Sequence, residues 1–234
     1  MFVNACMTSR QAIYGLLACS PLQPQGITAS NGSAFMIAPG FLITAAHCVH
    51  QHTNHTNPIH CKLEVIRVPD IGQGMEIATL HAVDDALDIA VLRIQAPRST
   101  ASLVLLDRTV PRGTSVGSLG FPLGQVQFTP QRMAFNVVER FQGASISAFV
   151  SAPQPDGSLE EHYETDSLMY GGSSGCPGFL ATGEVWGMQN RSLMEPPRAG
   201  NGAAASPDST RLAVSLWVPS TVILSFARQH QVPV

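Results

Sequence analysis

A serine surrounded by glycines is the residue of this chain best suited to nucleophilic chemistry. Ser174 lies in the segment YGGSSGCPGF, residues 170–179. A serine hydroxyl is a weak nucleophile until a base takes its proton, a third group orients that base and N–H groups stabilise the developing oxyanion. Clustered glycines let the backbone turn sharply and bring adjacent N–H groups together. Such clusters also occur in ordinary turns, so the serine needs partners elsewhere in the chain.

Two other segments can supply a base and a group that orients it. His47 follows an apolar run in GFLITAAHCVH, on a turn of small residues. Asp88 opens the apolar run in DDALDIAVLRI. Both lie where a predicted strand ends or begins. Ser174, His47 and Asp88 are therefore the candidate catalytic residues.

The motifs occur in an order that resembles a known family, the chymotrypsin (trypsin-like) serine protease superfamily. The segments that carry the resemblance are NGSAFMIAPGFLITAAHCV, LDIAVL, TDSLMYGGSSGCPGF and GEVWGMQN. The similarity is greatest to the bacterial branch, that is, to HtrA-type and glutamyl-endopeptidase-type enzymes. It extends from about Gln11 to the C-terminal end of the chain. It implies an endopeptidase that cuts proteins or peptides through an acyl-enzyme and needs no cofactor.

The resemblance assigns a role to each matched residue. His47 matches the general base, and Asp88 matches the carboxylate that holds the imidazole in the correct tautomer. Ser174 matches the nucleophile. The N–H groups of Gly172 and Ser174 match the oxyanion hole.

Two rival nucleophiles lie in the same segment. Ser173 fits the G-x-S-x-G pattern of α/β-hydrolases, which would need an acid and a histidine after it, here Asp208 and His230. Too little chain follows for that fold. Cys176 could be a cysteine nucleophile, but a small buried apolar residue is the simpler interpretation.

This chain differs from the digestive members of the family in two ways, and each difference leads to an expectation. Those enzymes have an aspartate before the nucleophile that captures a newly cut N-terminus, and this chain has Ser173 there. We therefore expect activity without N-terminal processing. The family's disulfide partner for the cysteine after the histidine is also missing, so we expect Cys48 to be a free thiol.

The substrate pocket is matched by residues before the serine and on a later strand. These S1 candidates are Leu168, Met169, Gln189, Asn190 and Ser192. No carboxylate among them could pair with Arg or Lys, and no histidine occupies the wall position of glutamyl endopeptidases. An apolar P1 side chain, the residue before the scissile bond, is therefore expected. A second hypothesis keeps the fold without turnover, as a binding or adaptor module.

The surrounding sequence predicts an all-β chain. Short apolar or alternating runs are separated by 20 glycines and 17 prolines, which is typical of many strands and turns. The runs are QAIYGLLAC, SAFMIA, GFLITAA, KLEVIRV, MEIATLHAV and LDIAVLRI, then SVGSLGF, MAFNVVERF, ASISAFV, GFLA, EVWGMQ and RLAVSLWV. About six runs on each side of the connector at residues 96–102 predict two six-stranded antiparallel β-barrels.

These barrels divide the chain into two predicted domains. Residues 1–95 would form the first barrel with His47 and Asp88. Residues 96–234 would form the second barrel with Ser174, followed by a C-terminal helix within residues 219–232. A regulatory partner could act through that helix or through the Gly-, Ala- and Pro-rich segment Leu193–Thr210.

Composition excludes several classes of partner. A net charge of −3 with only 12% charged residues leaves no basic surface for nucleic acid or for a membrane surface. No run reaches the roughly 20 apolar residues of a membrane span. His50, His52, His55 and His60 crowd one loop, but without regular thiolate or carboxylate spacing we expect no metal site.

The cysteines and the N-terminus bear on the compartment. Five cysteines without a CxxC pair favour reduced thiols, although a Cys48–Cys61 bridge could form under oxidising conditions. The apolar run at residues 12–19 is at the short limit of a signal sequence and is better interpreted as a buried strand. We therefore expect a cytoplasmic protein, with secretion or lipid anchoring through residues 12–19 as the alternative.

Overall fold

The computed structural model describes residues 1–21, 27–51, 58–128, 133–153, 159–194 and 211–234. Over these residues the chain forms two α-helices, fourteen strands and two short 3₁₀ turns. The helices are α1 (Val3–Ser9) and α2 (Ser220–Gln229). The strands are β1 (Ile13–Pro21), β2 (Ile27–Ala38), β3 (Phe41–Thr44), β4 (Lys62–Ile66), β5 (Glu76–Asp84), β6 (Ile89–Arg93), β7 (Ser115–Gly120), β8 (Gln125–Phe128), β9 (Met133–Asn136), β10 (Arg140–Pro153), β11 (Leu159–Thr165), β12 (Pro177–Phe179), β13 (Val185–Met194) and β14 (Arg211–Pro219).

The first six strands close into a barrel in the order β1-β2-β3-β6-β5-β4. The apolar runs become buried strands: all four residues of β3 are buried, as are eight of the nine residues of β1. The run at residues 12–19 thus lies mostly in β1, as the interpretation of a buried strand predicted. Because β4 also pairs with β1, each described strand of this half has a neighbouring strand on both sides.

The second barrel has the order β10-β11-β14-β13-β12-β7. Its core includes three aromatic side chains that pack together. The Trp186 ring lies 5.3 Å from Tyr163 and 4.7 Å from Trp217, and all three side chains are buried. The Tyr163 hydroxyl accepts a hydrogen bond from the Val110 N–H at 2.8 Å, which satisfies the one polar atom of that ring. The predicted class, two six-stranded antiparallel barrels with a C-terminal helix, is confirmed.

The strands of the second barrel differ from prediction in two places. The run MAFNVVERF is not one barrel strand, because its first residues form β9 and pair with β8 in a separate two-stranded sheet. The sixth barrel strand is instead β11, whose sequence LEEHYET was not predicted to be a strand. Its neighbours β10 and β14 bury Tyr163 and Thr165, so tertiary pairing overrides a polar sequence.

The helices pack on the barrels. Phe2 lies just before α1 and reaches the second barrel, with ring centroids 5.7 Å from Phe141 and 6.3 Å from Phe179. The Arg10 guanidinium pairs with Glu139 at 3.1 Å. The N-terminal residues, which lead into β1 of the first barrel, therefore also contact the second half. A division of the chain into domains at residue 95 stays a prediction. No helix in the described ranges is long and apolar enough to span a membrane.

Candidate active site

His47 and Asp88 meet because β3 and β6 are antiparallel neighbours. Thr44, the last residue of β3, lies opposite Ala90 near the start of β6. The chain beyond β3 therefore emerges beside the chain that enters β6. His47 lies in a 3₁₀ turn directly after β3, and Asp88 lies directly before β6. Strand pairing brings the two side chains together although 41 positions separate them.

The Asp88 carboxylate holds His47 at two points. His47 Nδ1 lies 2.9 Å from Asp88 Oδ2 and 3.1 Å from Oδ1. The backbone N–H of His47 also donates to Oδ1 at 2.9 Å. Asp88 has a φ of 53°, in the left-handed region that non-glycine residues seldom adopt. A strained conformation that aims a carboxylate at an imidazole is typical of functional sites.

These contacts change the pKa of His47. Partial burial acts to lower the pKa, but the hydrogen bonds to Asp88 and to the Cys48 thiol, together with the negative charge of Asp88, raise it more. The net effect is a pKa above that of an ordinary imidazole. The His47 side chain is 37% exposed, so part of it remains accessible to solvent.

Ser174 lies where the two barrels touch. Its carbonyl oxygen accepts the N–H of Ser33 from β2 at 2.8 Å, and the Sγ of Cys48 lies 3.8 Å from the same oxygen. Because Cys48 follows His47 in sequence, this contact keeps the histidine turn beside the serine. The Ser174 hydroxyl donates to the Asn190 carbonyl at 3.3 Å. Asn190 lies at an irregularity in the pairing of β13 with β14, which turns its carbonyl out of the ladder.

The backbone before Ser174 leaves two N–H groups unused. The Gly171 carbonyl accepts the Leu123 N–H at 2.6 Å, and the Ser173 carbonyl accepts the Cys176 N–H at 2.9 Å. In a trans peptide the N–H points away from the C=O. The N–H groups of Gly172 and Ser174 therefore point away from those partners. Neither donates a hydrogen bond to another residue within the described ranges.

Two glycines of this loop are required by its geometry. Gly172 has a φ of 90°, and a Cβ placed there would lie 2.6 Å from the Phe121 carbonyl oxygen. Gly175 has a φ of 84°, and its Cβ would lie 2.0 Å from the Ser33 carbonyl oxygen. Only glycine combines this backbone conformation with such close approach. The GGSSG sequence thus builds a loop that is pressed against the first barrel.

The S1 candidates do not form a uniform wall. Gln189 is fully buried, and its amide is used inside the second barrel: Oε1 accepts the Cys176 thiol at 3.1 Å, and Nε2 donates to the Ser215 hydroxyl at 3.3 Å. Met169 is also buried, whereas Leu168, Asn190 and Ser192 are half-buried. The Gln189 side chain is therefore part of the core, and the other four stay predicted pocket residues.

The rival nucleophiles are poorly placed. Ser173 is 1% exposed, and its hydroxyl has no hydrogen-bond partner among the described residues. Cys176 is 2% exposed, and burial raises its pKa far above the usual thiol range, so it is held as the unreactive thiol. Asp208, proposed as a partner for Ser173, lies outside the described residues. The ring of His230 packs on Phe226 at 4.5 Å.

The histidine-rich loop is described only in part. His50 Nε2 pairs with Asp85 at 2.7 Å, and His60 Nδ1 lies 3.2 Å from the Ser20 hydroxyl. His52 and His55 lie outside the described residues. Over the ranges that are described, no three metal-ligating side chains come together. The five cysteines are free, as expected for Cys48.

Sequence reasoning missed the supporting residues Ser33 and Leu123. Ser33 joins β2 to residues 170–176, which we call the nucleophile loop after the candidate nucleophile Ser174. Leu123, with a φ of 61°, supplies the N–H that holds Gly171. Ser33 lies in NGSAF, a segment that carries a predicted strand and part of the family resemblance but no signal of a contact with residues 170–176. Leu123 follows Pro122 in a turn without any motif.

Comparisons with known proteins agree on one family. A family model described as a trypsin-like peptidase domain matches residues 32–188. A probable periplasmic serine endoprotease, DegP-like, of Brucella suis is 29% identical over 188 residues, covering 77% of this chain and 31% of that protein. The mitochondrial serine protease HTRA2 of Drosophila ananassae is 30% identical over 170 residues, covering 72% of this chain and 36% of that protein. The chain thus spans about a third of the length of these relatives.

A structural comparison agrees in fold. The structure of the HtrA-type protease AlgW with a tripeptide superposes with a TM-score of 0.71 and 19% identity, covering all of this chain and 64% of that one. At this identity the comparison bears on the fold alone.

The expected cytoplasmic location is contradicted by these relatives, which are named as periplasmic and mitochondrial proteins. The expectation rests on a weak signal-like run and on unpaired cysteines, and neither feature is specific to a compartment.

The family is shown by the match to residues 32–188, which covers more than half of the chain. Together with the two-barrel fold and its HtrA- and DegP-type relatives, it shows that the chain belongs to the trypsin-like peptidase family, in its HtrA branch.

Proposed function

We propose that this chain is a serine endopeptidase that hydrolyses peptide bonds of protein substrates with Ser174, His47 and Asp88. The observation that carries the proposal is the bond between His47 Nδ1 and Asp88 Oδ2, 2.9 Å long, beside the nucleophile loop. It fixes the ring so that Nε2 is the nitrogen that acts on Ser174. A binding module without turnover would have no need of an imidazole held in this way.

The reaction proceeds in two halves. Ser174 Oγ bonds to the carbonyl carbon while its proton passes to His47 Nε2, and the carbonyl π electrons move onto oxygen. The N–H groups of Gly172 and Ser174 stabilise that oxyanion. The C–N bond then breaks, and His47 returns the proton to the leaving amine. Water repeats the sequence on the acyl-enzyme and releases the acid with Ser174 regenerated.

Asp88 acts through His47 without receiving its proton. Its carboxylate stabilises the imidazolium that forms when Ser174 is deprotonated. The side chain is 23% exposed, so the charge is partly shielded from solvent and acts at close range. The raised pKa of His47 reflects the same interaction.

The S1 candidates also suggest which substrate side chain is preferred. Leu168 and Met169 favour an apolar P1 residue, because no carboxylate among the S1 candidates could pair with a basic side chain.

The relatives are named as periplasmic and mitochondrial proteases, and we propose a location outside the cytosol for this chain as well. Control by a partner protein through α2 is part of the proposal. The segment at residues 195–210, the other proposed contact, lies outside the described residues.

A fluorophosphonate probe tests the proposal, since it labels a serine only when base and oxyanion hole are in place. The unmodified protein should label on Ser174, and Ser174→Ala should not label or cleave peptides. Ser173→Ala is the matched control, because the Ser173 hydroxyl lies in the same loop but is buried. Labelling of Ser174→Ala, or none of the folded unmodified protein, would reject the assignment. Cleavage-site profiling on a peptide library by mass spectrometry then tests the apolar P1 preference.

A further inference from the structure

Ser33 is a buried residue of the first barrel whose side chain lies between two segments of the second. It is 0% exposed and belongs to β2. Its hydroxyl donates to the Gly172 carbonyl at 2.9 Å and accepts the Phe121 N–H at 2.9 Å. The two partners lie 139 and 88 positions away along the chain. One hydroxyl thus bridges the end of β7 to the loop that carries the candidate oxyanion hole.

The backbone of Ser33 is held independently of its side chain. Its N–H donates to the Ser174 carbonyl at 2.8 Å, and its own carbonyl accepts the Thr44 hydroxyl at 2.7 Å. A Ser33→Ala substitution leaves both bonds possible. It removes only the bridge from Phe121 to Gly172, so its effect reports on that bridge.

The bridge restrains the peptide between Gly172 and Ser173. The carbonyl end of this peptide is held by Ser33, and its N–H end donates to the Tyr170 carbonyl at 3.0 Å. Gly172 has no Cβ to restrict rotation of this peptide, so these two bonds fix the orientation of the peptide. The neighbouring peptides are held by backbone N–H groups of Leu123 and Cys176. Among these restraints, Ser33 is the one that acts through a side chain, and it belongs to the first barrel.

We propose that Ser33 is a positioning residue for catalysis: its hydroxyl holds the Gly172–Ser173 peptide, which lies between the two peptides that carry the Gly172 and Ser174 N–H groups, so that both N–H groups stay directed at the oxyanion. This inference rests on the proposed function of the same site. Without the hydroxyl, two buried backbone groups, the Gly172 carbonyl and the Phe121 N–H, lose their partner. Such groups are costly to leave unpaired. The Gly172–Ser173 peptide would then rotate to find another partner and would displace the adjoining peptides that carry the Gly172 and Ser174 N–H groups. The oxyanion hole would then be formed only part of the time.

The test compares Ser33→Ala with Ser220→Ala. Ser220 is a matched control because it is also buried and its hydroxyl donates to a backbone carbonyl, that of Leu106, which is not part of the nucleophile loop. With an apolar-P1 peptide substrate, Ser33→Ala should lower kcat by about tenfold to a hundredfold, less than loss of a whole oxyanion donor. KM should change by less than about threefold, since ground-state binding does not use the hole.

Two further readouts separate positioning from general damage. Affinity for a peptide boronate, which forms a tetrahedral adduct on serine, should fall in parallel with kcat/KM. The acid limb of the pH profile should not move, because Ser33 does not touch the His47–Asp88 pair. Ser33→Cys, a near-isosteric variant with a weak donor, should recover part of kcat. Ser220→Ala should retain full kcat.

The outcomes distinguish this inference from the proposed function. Unmodified protein that neither labels nor hydrolyses rejects both. Active unmodified protein with kcat of Ser33→Ala within twofold overturns the role of Ser33 alone. A loss of kcat accompanied by a shifted acid limb overturns it as well, because the damage then reaches His47. If Ser33→Ala does not fold, the same comparison is made with Ser33→Gly, which also lacks the hydroxyl, and an unchanged kcat there overturns the inference.

Discussion

Asp88 binds both the backbone and the ring of His47: Oδ1 accepts the histidine N–H at 2.9 Å, and Oδ2 lies 2.9 Å from Nδ1. The first bond positions the turn that carries the histidine, and the second selects the ring tautomer. One carboxylate therefore serves both structure and chemistry. A substitution at Asp88 should separate the two.

Asp88→Asn should lower kcat/KM by about a thousandfold or more while the protein stays folded. The amide oxygen can still accept the His47 N–H, but the amide cannot stabilise the imidazolium and can present an N–H to Nδ1. Steady-state kinetics and thermal unfolding measure the two effects. Asp85→Asn is the control, because Asp85 pairs with His50 and is 71% exposed. A loss of activity in the control equal to that of Asp88→Asn would contradict a special role for Asp88.

The acid limb of the pH–rate profile should lie above the ordinary imidazole range. Catalysis needs neutral His47, and a raised pKa keeps the ring protonated to higher pH, so activity should rise only as the pH passes that raised value. In Asp88→Asn the residual activity should show a limb at lower pH, because the anion that favours the charged ring is gone. A limb below about pH 6.5 in the unmodified protein would contradict the raised pKa.

Gly172→Ala and Gly175→Ala should both destabilise the folded protein, but to different degrees. Both residues have a positive φ, which costs a non-glycine residue about 1–3 kcal/mol. Gly175 has the closer contact, a Cβ 2.0 Å from the Ser33 carbonyl oxygen, and should lower Tm more. Gly172→Ala should lower kcat even where it folds, since it displaces the loop from Phe121. Gly143→Ala, where the Cβ would meet only side-chain atoms at 3.7 Å or beyond, is the control for the substitution itself.

Uncut protein should react with the fluorophosphonate probe. The position before the nucleophile holds Ser173, a buried neutral hydroxyl that cannot form an ion pair with a new N-terminal ammonium. The loop is held instead by Ser33, Leu123 and Cys176. Intact mass spectrometry of the labelled species measures this directly. Labelling that occurs only after cleavage near Gln11 would reveal an N-terminal latch of another kind.

Cys176 should be inert towards alkylation in the folded protein. Burial raises its pKa, and its thiol donates to Gln189 at 3.1 Å. Cys61 is exposed and should react with iodoacetamide first, as peptide mapping after a short exposure would show. Cys176→Ser should keep most of the activity. Rapid inactivation through Cys176 would instead favour a cysteine nucleophile.

Local sequence patterns determined the first barrel and the candidate catalytic residues. Its six strands are apolar runs between turn residues, so burial and pairing follow the pattern closely. His47 and Asp88 lie at the ends of two such runs, which placed them at one end of the barrel once the strands were paired. The loop around Ser174 was recognisable because close backbone approach requires glycine, and glycine is visible in a sequence.

Tertiary structure alone decided how these parts are held. The strand β11 is polar in sequence and forms because β10 and β14 offer it hydrogen bonds and a place for Tyr163. Gln189, expected in the substrate pocket, turns inward because Cys176 and Ser215 satisfy its amide. The bond from Ser33 to Gly172 joins residues 139 positions apart. Hydrogen bonds are short and directional, so partners this distant in sequence are chosen by the packing of the two barrels, which no local pattern encodes.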